Sequence, residues 1–250
     1  MSMFFKKKWF LFVFFYFLLF HQLIGQTNVK MESKVADFKN NYSNYFTNDE
    51  LINGSIYLFP DKKINGNPFL YDLWQNADIF IHGKTYPNVY MNYDIVNNDV
   101  IIQIPSTNGI KKIIDVNDFQ VDSFLVGNTV FVNTLTLNKH INVNKNLFYV
   151  ERITKGKYPI FKKYTKELRR NYNSANNPYG KFSELKEDLL MLTNNNLIEV
   201  NRKSEFLECF SKSNRKEIKQ FLKKNNIKFR NSSSSELIIL MEYCQSKISN

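Results

Sequence analysis

The stretch Ala77-Asp78-Ile79-Phe80-Ile81-His82-Gly83-Lys84-Thr85-Tyr86-Pro87-Asn88-Val89-Tyr90-Met91-Asn92-Tyr93-Asp94-Ile95-Val96-Asn97-Asn98-Asp99-Val100-Ile101-Ile102-Gln103-Ile104 decides the fold class. Three runs dominated by β-branched and aromatic residues are separated by His82-Gly83-Lys84-Thr85 and by Asn97-Asn98-Asp99. Gly and Asn reach positive φ at low cost, so both interruptions read as hairpin turns and the runs as antiparallel strands. The same alternation continues outward. Ser55–Phe59 ends at Pro60-Asp61, and Pro105–Gly109 breaks the third run before Ile110–Ile114. Phe119–Val126, the turn Gly127-Asn128, Thr129–Val132, Leu147–Ile153 and Tyr158–Tyr164 extend the series. No long helical pattern separates the strands, which argues against a parallel α/β sheet. The expectation is an antiparallel meander rolled into a sandwich or partial barrel.

Residues 165–180 read as a charged, Asn-rich connection over the sheet. Phe182–Lys186 with Leu189–Leu192 reads as a further hairpin, and Leu197–Val200 as a last short strand. From Ser204 the period becomes helical. Ser204 is placed to cap a helix through Phe210. Ser213 is placed to cap a second, with Ile218, Phe221 and Leu222 on one face and a stop at Asn225-Asn226. Ser232–Ser235 leads into a third helix, Glu236–Cys244. These helices either close a small bundle or pack back on the sheet. The fold class is therefore α+β, with a signal peptide at 1–25, an N-terminal arm at 26–53, an antiparallel β domain at 54–200 and a helical module at 201–250.

The first 25 residues place Lys6-Lys7-Lys8 before an apolar run, Trp9 to Phe20, that ends at His21-Gln22 and Gly25. A basic region, an apolar core and a small residue at the cleavage position make a secretory signal peptide. The apolar run is shorter than the roughly 20 residues that span a bilayer. Cleavage after Gly25 would leave Gln26 as the N-terminus and no transmembrane span. The alternative is an uncleaved anchor with the domain outside, since the lysines stay inside. The chain carries +11 overall, of which the leader contributes three lysines and no acid. The remaining Lys and Arg are dispersed and mostly adjacent to acids, a pattern that argues against nucleic acid as a partner.

Chemistry-bearing residues are sparse. Beyond the leader there are two histidines, His82 in a turn and His140 in an Asn/Lys-rich loop, and neither sits in a catalytic signature. Asp94, Asp99, Asp115, Asp118 and Asp122 fall close together. Paired carboxylates can hydrolyse glycosides, but acids at strand ends are commonly turn formers. Asp115-Val116-Asn117-Asp118 lacks the spacing of a calcium loop, and there is no phosphate-binding glycine loop, nucleophile elbow or HExxH zinc motif. Cys209 and Cys244 lie among apolar residues at helical spacing, which fits either one disulfide or two buried thiols. No catalytic, cofactor-binding or metal-binding residue is assigned, and no cofactor. Tyr57, Phe59, Phe69, Tyr71, Trp74, Phe80, Tyr86, Tyr90 and Tyr93 form an aromatic-rich stretch. Alternate members should fill the core, while exposed ones on a sheet face would hold sugar rings or unstacked bases. Trp74, the single Trp beyond the leader, is the candidate exception to burial.

Two stretches carry a resemblance. Phe69–Trp74 runs into Ala77–Tyr86 and Val89–Ile95, and Ser213–Asn225 is followed by Leu237–Tyr243. Together they resemble a group of uncharacterised exported proteins of Bacteroidota-type bacteria, in which a strand, a Gly-Lys turn and a Tyr-rich strand precede a Lys-rich helical tail. The resemblance implies an envelope location, periplasmic, outer-membrane-associated or extracellular, and carries no activity, ligand or site residue. The cysteines depart from its apolar pattern, which favours buried thiols. The functional expectation is an exported non-enzymatic protein, envelope-associated or ligand-binding, with another envelope protein or a polysaccharide as partner. The alternatives are a secreted hydrolase of glycan or peptide and an adhesin-like binder of an anionic polymer.

Overall fold

Alternation of side chains across each strand explains which residues are inside. In the computed structural model, which describes residues 54–104, 111–116, 121–137, 149–170, 178–194 and 196–248, Ala77, Ile79 and Ile81 of β2 (Gln75–Ile81) point one way and are buried. Met91 and Tyr93 of β3 (Lys84–Asp94) and Val100, Ile102 and Ile104 of β4 (Asp99–Ile104) share that face. The expected leader, the arm, His140 and Asp118 lie outside the described residues. Among those described, no helix is long and apolar enough to cross a membrane.

The remaining strands are β1 (Ser55–Ile56), β5 (Lys112–Asp115), β6 (Val121–Val126), β7 (Thr129–Asn133), β8 (Tyr149–Arg152), β9 (Ile160–Thr165), β10 (Leu168–Arg169), β11 (Lys181–Phe182), β12 (Lys186–Thr193) and β13 (Asn196–Glu199). Eleven of the strands form one antiparallel sheet in the order β1-β5-β4-β3-β2-β6-β7-β8-β9-β12-β13. β10 and β11 make a separate two-stranded ladder. Thus part of the connection expected over 165–180 is paired, and Lys186–Thr193 is one strand where a hairpin was expected.

The sheet is open at both edges but does not lie flat. β3 and β8 stand four places apart, about 19 Å in a flat sheet at the usual strand spacing. Yet the rings of Tyr93 and Tyr149 are 5.6 Å apart, and the Tyr149 amide donates to Tyr93 Oη at 3.2 Å. Tyr93 also meets Phe124 at 5.6 Å and Phe131 at 6.2 Å, edge to face. The sheet therefore coils until its inner face closes on an aromatic core, the sandwich-like arrangement expected from the meander.

The helices are α1 (Thr134–Leu137), α2 (Lys203–Glu208), α3 (Lys212–Lys224) and α4 (Ser234–Ile248), with a 3-10 turn at Phe229–Asn231. Ser211 caps α3 by accepting from Asn214 N, two residues ahead of the Ser213 expected there. Ser233 and Glu236 form a reciprocal capping box at α4, in which Ser233 N donates to the Glu236 carboxylate at 2.8 Å. That contact holds the Glu236 carboxyl below its usual range. Phe206, Leu207, Phe210, Ile218, Leu222, Phe229, Leu237, Leu240 and Met241 share one core with Ile160 of β9 and Met191 of β12. Of the two alternatives, the helices pack back on the sheet. Both cysteines are free thiols. Cys244 is fully buried in this core and Cys209 packs against it. Burial pushes the Cys244 thiol up to about 12, which makes it a small apolar filler rather than a nucleophile.

Candidate functional site

A local excess of chain length creates the most ligand-like surface. Phe69 bridges Asp94, and Leu70 N donates to Tyr93 O at 2.9 Å, so residues 68–70 continue the β2 edge of β3. β2 resumes with Gln75 opposite Met91. Residues 70–74 thus face only Asn92 and Tyr93, and the surplus bulges outward. Asn92 is buried, and its side-chain amide replaces the missing ladder bonds. Its Nδ2 donates to Tyr71 O at 2.9 Å, and its Oδ1 accepts from Tyr71 N at 3.4 Å and Tyr93 N at 2.8 Å. Gln75 Nε2 donates to Leu73 O at 2.9 Å. At the base, Lys166 Nζ donates to Phe69 O at 2.7 Å and Asn67 O at 3.3 Å. Burial lowers the pKa of this ammonium despite nearby carboxylates.

The bulge presents Leu73, 75% exposed, and carries the half-buried Trp74 ring. Trp74 lies 5.9 Å from Tyr90 at an interplanar angle of 30°. Tyr90 is 39% exposed, Lys111 Nζ lies 5.8 Å from its ring centroid, and exposed Asn76 is its cross-strand partner. Two aromatic faces tilted by 30°, with an amide and an ammonium beside them, form a polar-rimmed apolar platform. Of the other aromatics, Tyr57, Tyr86 and Tyr93 are buried, Phe59 is exposed, and Phe69, Tyr71 and Phe80 are half-buried. Tyr57, Phe59 and Phe69 contact one another, with centroids 5.0 to 6.2 Å apart.

The structure brings three of the five aspartates together. Asp94 and Asp99 are cross-strand partners, and Asp115 stands opposite Ile101 on the same face. Asp94 is fully buried and accepts from Tyr57 Oη at 2.6 Å, Val96 N at 2.9 Å, and Asn97 N and Nδ2 at 3.0 and 2.9 Å. Those four donors make it the lock of the β3–β4 hairpin. Burial, and then the bond to Asp94, raise the Tyr57 hydroxyl far above its ordinary value. Asp122 is elsewhere, accepting from Gly83 N at 3.3 Å, and His82 is an exposed residue of the β2–β3 turn. Among the described residues no group of three or more His, Cys, Asp and Glu is arranged to hold a metal ion.

Burial pushes the Asp115 carboxyl up to about 7, with Asp99 and Asp94 adding repulsion. An unfolded aspartic acid titrates near 3.9, so between about pH 4 and 7 the folded chain holds the extra proton. The stability this contributes is present below about pH 4 and is lost as pH rises through about 7. The group is half exposed, which reduces the effect to on the order of 1–2 kcal/mol. Urea midpoints at pH 4, 5.5, 7 and 8 should therefore fall for the wild type and stay flatter for Asp115→Asn, the variant being more stable at pH 8. Parallel profiles would overturn the assignment.

Fold and surface together define an open, coiled antiparallel sheet with helices packed at one end and an aromatic platform on a buttressed bulge. No protein-family model, no curated protein and no solved structure matches the chain.

Proposed function

We propose that the protein is an exported, non-enzymatic ligand-binding component of the cell envelope, and that its ligand is a polysaccharide laid across Trp74 and Tyr90. Export rests on the basic and apolar pattern of residues 1–25. The ligand class rests on one observation, the Trp74–Tyr90 pair at the surface, in which half-buried Trp74 sits on the bulge held by Asn92 and Gln75 beside the 39% exposed Tyr90 of β3. A pyranose ring offers a flat face of C–H groups to such rings and hydroxyls to Asn76 at the rim.

Each ring should contribute on the order of 1–2 kcal/mol, or about tenfold in affinity. Affinity electrophoresis through gels containing xylan, a β-1,3-glucan or dextran should show retardation of the wild type by at least one polymer. Trp74→Ala and Tyr90→Ala should each lose it with little change in melting temperature. Equal mobility of wild type and both variants in every polymer would sink the reading. A glycan hydrolase is the second reading, favoured by Asp115 holding a proton near neutrality beside Asp99, the division of roles that acid and base carboxylates show. It requires release of reducing ends that Asp115→Asn abolishes.

A further inference from the structure

A cleft of about 560 Å³ opens where β12 and β13 meet the chain leading into the helices. Its walls are charged, and most of the charge is already committed. Lys162 Nζ pairs with Glu187 at 3.0 Å, and Lys186 Nζ with Asp188 at 2.8 Å. Arg202 Nε lies 3.8 Å from Glu205, whose carboxylate also accepts from Arg202 N at 2.9 Å. Asn201 fixes the floor, donating to Asp188 Oδ1 at 2.9 Å and accepting from Leu189 N at 2.7 Å.

Two lining charges are left over, and they have opposite signs. Glu199 ends β13 and Arg230 sits in the 3-10 turn at Phe229–Asn231. Both are exposed, and neither makes an ion pair or hydrogen bond among the described residues, although the Glu199 carboxylate is near enough to Lys186 to help raise that lysine's pKa. They come from different elements, so the fold, not local sequence, sets them around one space. The lining is otherwise balanced in charge, which gives no preference for a polyanion or a polycation. A ligand that satisfies both groups carries a cation and an anion on one small frame.

We propose that this cleft binds a short peptide or amino acid through its free termini, the ammonium on Glu199 and the carboxylate on Arg230. A guanidinium presents a fork that matches a carboxylate, and such charge-assisted bonds are the stronger kind. In the same lining the Asn231 side chain supplies a donor and an acceptor for peptide amides, and the Ser232 hydroxyl, which donates to Lys228 O at 3.2 Å, supplies an acceptor. The volume lies within the range of small-molecule sites. This site is separate from the Trp74–Tyr90 platform and does not depend on it.

The test is calorimetric titration of the full chain with tri-alanine, its N-acetylated form, its C-terminal amide and the doubly blocked peptide, with alanine and tetra-alanine to bracket length. Free-terminus peptide should bind, and each single block should weaken binding at least tenfold. Arg230→Gln should reduce the free peptide to the level of the amide while leaving the amide unchanged. Glu199→Gln should do the same for the acetylated form. Arg230→Lys, which keeps the charge but loses the fork, should fall between. Trp74→Ala should bind peptide as the wild type does, so failure here and failure of the glycan reading are distinguishable. No binding of any free-terminus probe at millimolar concentration, or equal binding of the doubly blocked peptide, would overturn the proposal and leave Glu199 and Arg230 as solvated surface charges.

Discussion

Tyr93→Ala should destabilise the chain by about 3–5 kcal/mol, the range for removing a large ring from a packed core. Tyr93 is 1% exposed and its ring meets Phe124, Phe131 and Tyr149, residues of β6, β7 and β8. The ring is thus the peg on which the coiled sheet closes. Were the sheet flat, Tyr93 would touch only neighbours on β2 and β4, and truncation would cost much less. Tyr93→Phe separates the two contributions. It keeps the ring but removes the hydroxyl that accepts from Tyr149 N at 3.2 Å and meets Asn98 Oδ1 at 3.3 Å. Removing a hydroxyl that makes buried hydrogen bonds costs about 1–3 kcal/mol. Urea denaturation should therefore rank wild type, then Tyr93→Phe, then Tyr93→Ala. A loss below about 1 kcal/mol for Tyr93→Ala would contradict the closure of the sheet on this residue.

The strands were legible in the sequence because the period-2 pattern is written directly by burial of one face. Val100-Ile101-Ile102-Gln103-Ile104 and Ala77-Asp78-Ile79-Phe80-Ile81 leave little choice of element. The errors fall where a local conformation decides. The β2–β3 turn is only His82-Gly83, both at positive φ (48° and 77°), so β3 begins at Lys84, within the four residues expected to turn. It then runs through Pro87 and Asn88, where a register irregularity is stabilised by Asn88 N donating to Asp78 at 3.0 Å. In β12 the polar start Lys186-Glu187-Asp188 looks like a turn, yet it is a strand in which Glu187 pairs with Lys162, Asp188 pairs with Lys186, and Asn201 donates to Asp188. Serines marked two of the helix starts, where geometry chose Ser211 and Ser233 from among them, but Ser204, expected to cap the first helix, lies inside α2, whose N-cap is Arg202.

The candidate sites were less legible for a different reason. Trp74 stood out by its rarity, but its partnership with Tyr90 depends on a bulge that one buried Asn92 permits. Nothing in sequence separates that asparagine from the many on the surface. Glu199 and Arg230 are distant in the chain and ordinary in type. Only the packing of the 3-10 turn against the edge of β12 and β13 makes them face one cleft. The aspartates show the opposite case. Their crowding was visible, but the fully bonded state of Asp94 makes one of them a hairpin lock, and only the environment of Asp115 sets it apart as an acid.

Phe206→Ala should cost about 3–5 kcal/mol and should do so in a single transition. Phe206 is fully buried, stacks on Phe229 with centroids 4.6 Å apart and meets Phe210 edge to face at 5.0 Å. The same cluster contains Ile153, Ile160, Met191 and Val200 from the sheet side. An amphipathic helix as short as α2 has little stability of its own, so its free energy comes from this shared core. Removing the ring therefore weakens β9 and β12 together with α2, α3 and α4. Since domains of this size are stable by only about 5–15 kcal/mol, the variant should melt roughly 6–20 °C lower or fail to fold at physiological temperature. Phe206→Leu, which keeps most of the apolar volume, should recover more than half of the loss. Far-UV helix signal and near-UV aromatic signal should disappear at the same denaturant concentration in wild type and Phe206→Leu alike. Loss of the helix signal ahead of the aromatic signal would show that the helices unfold on their own and that the shared core is not the source of their stability.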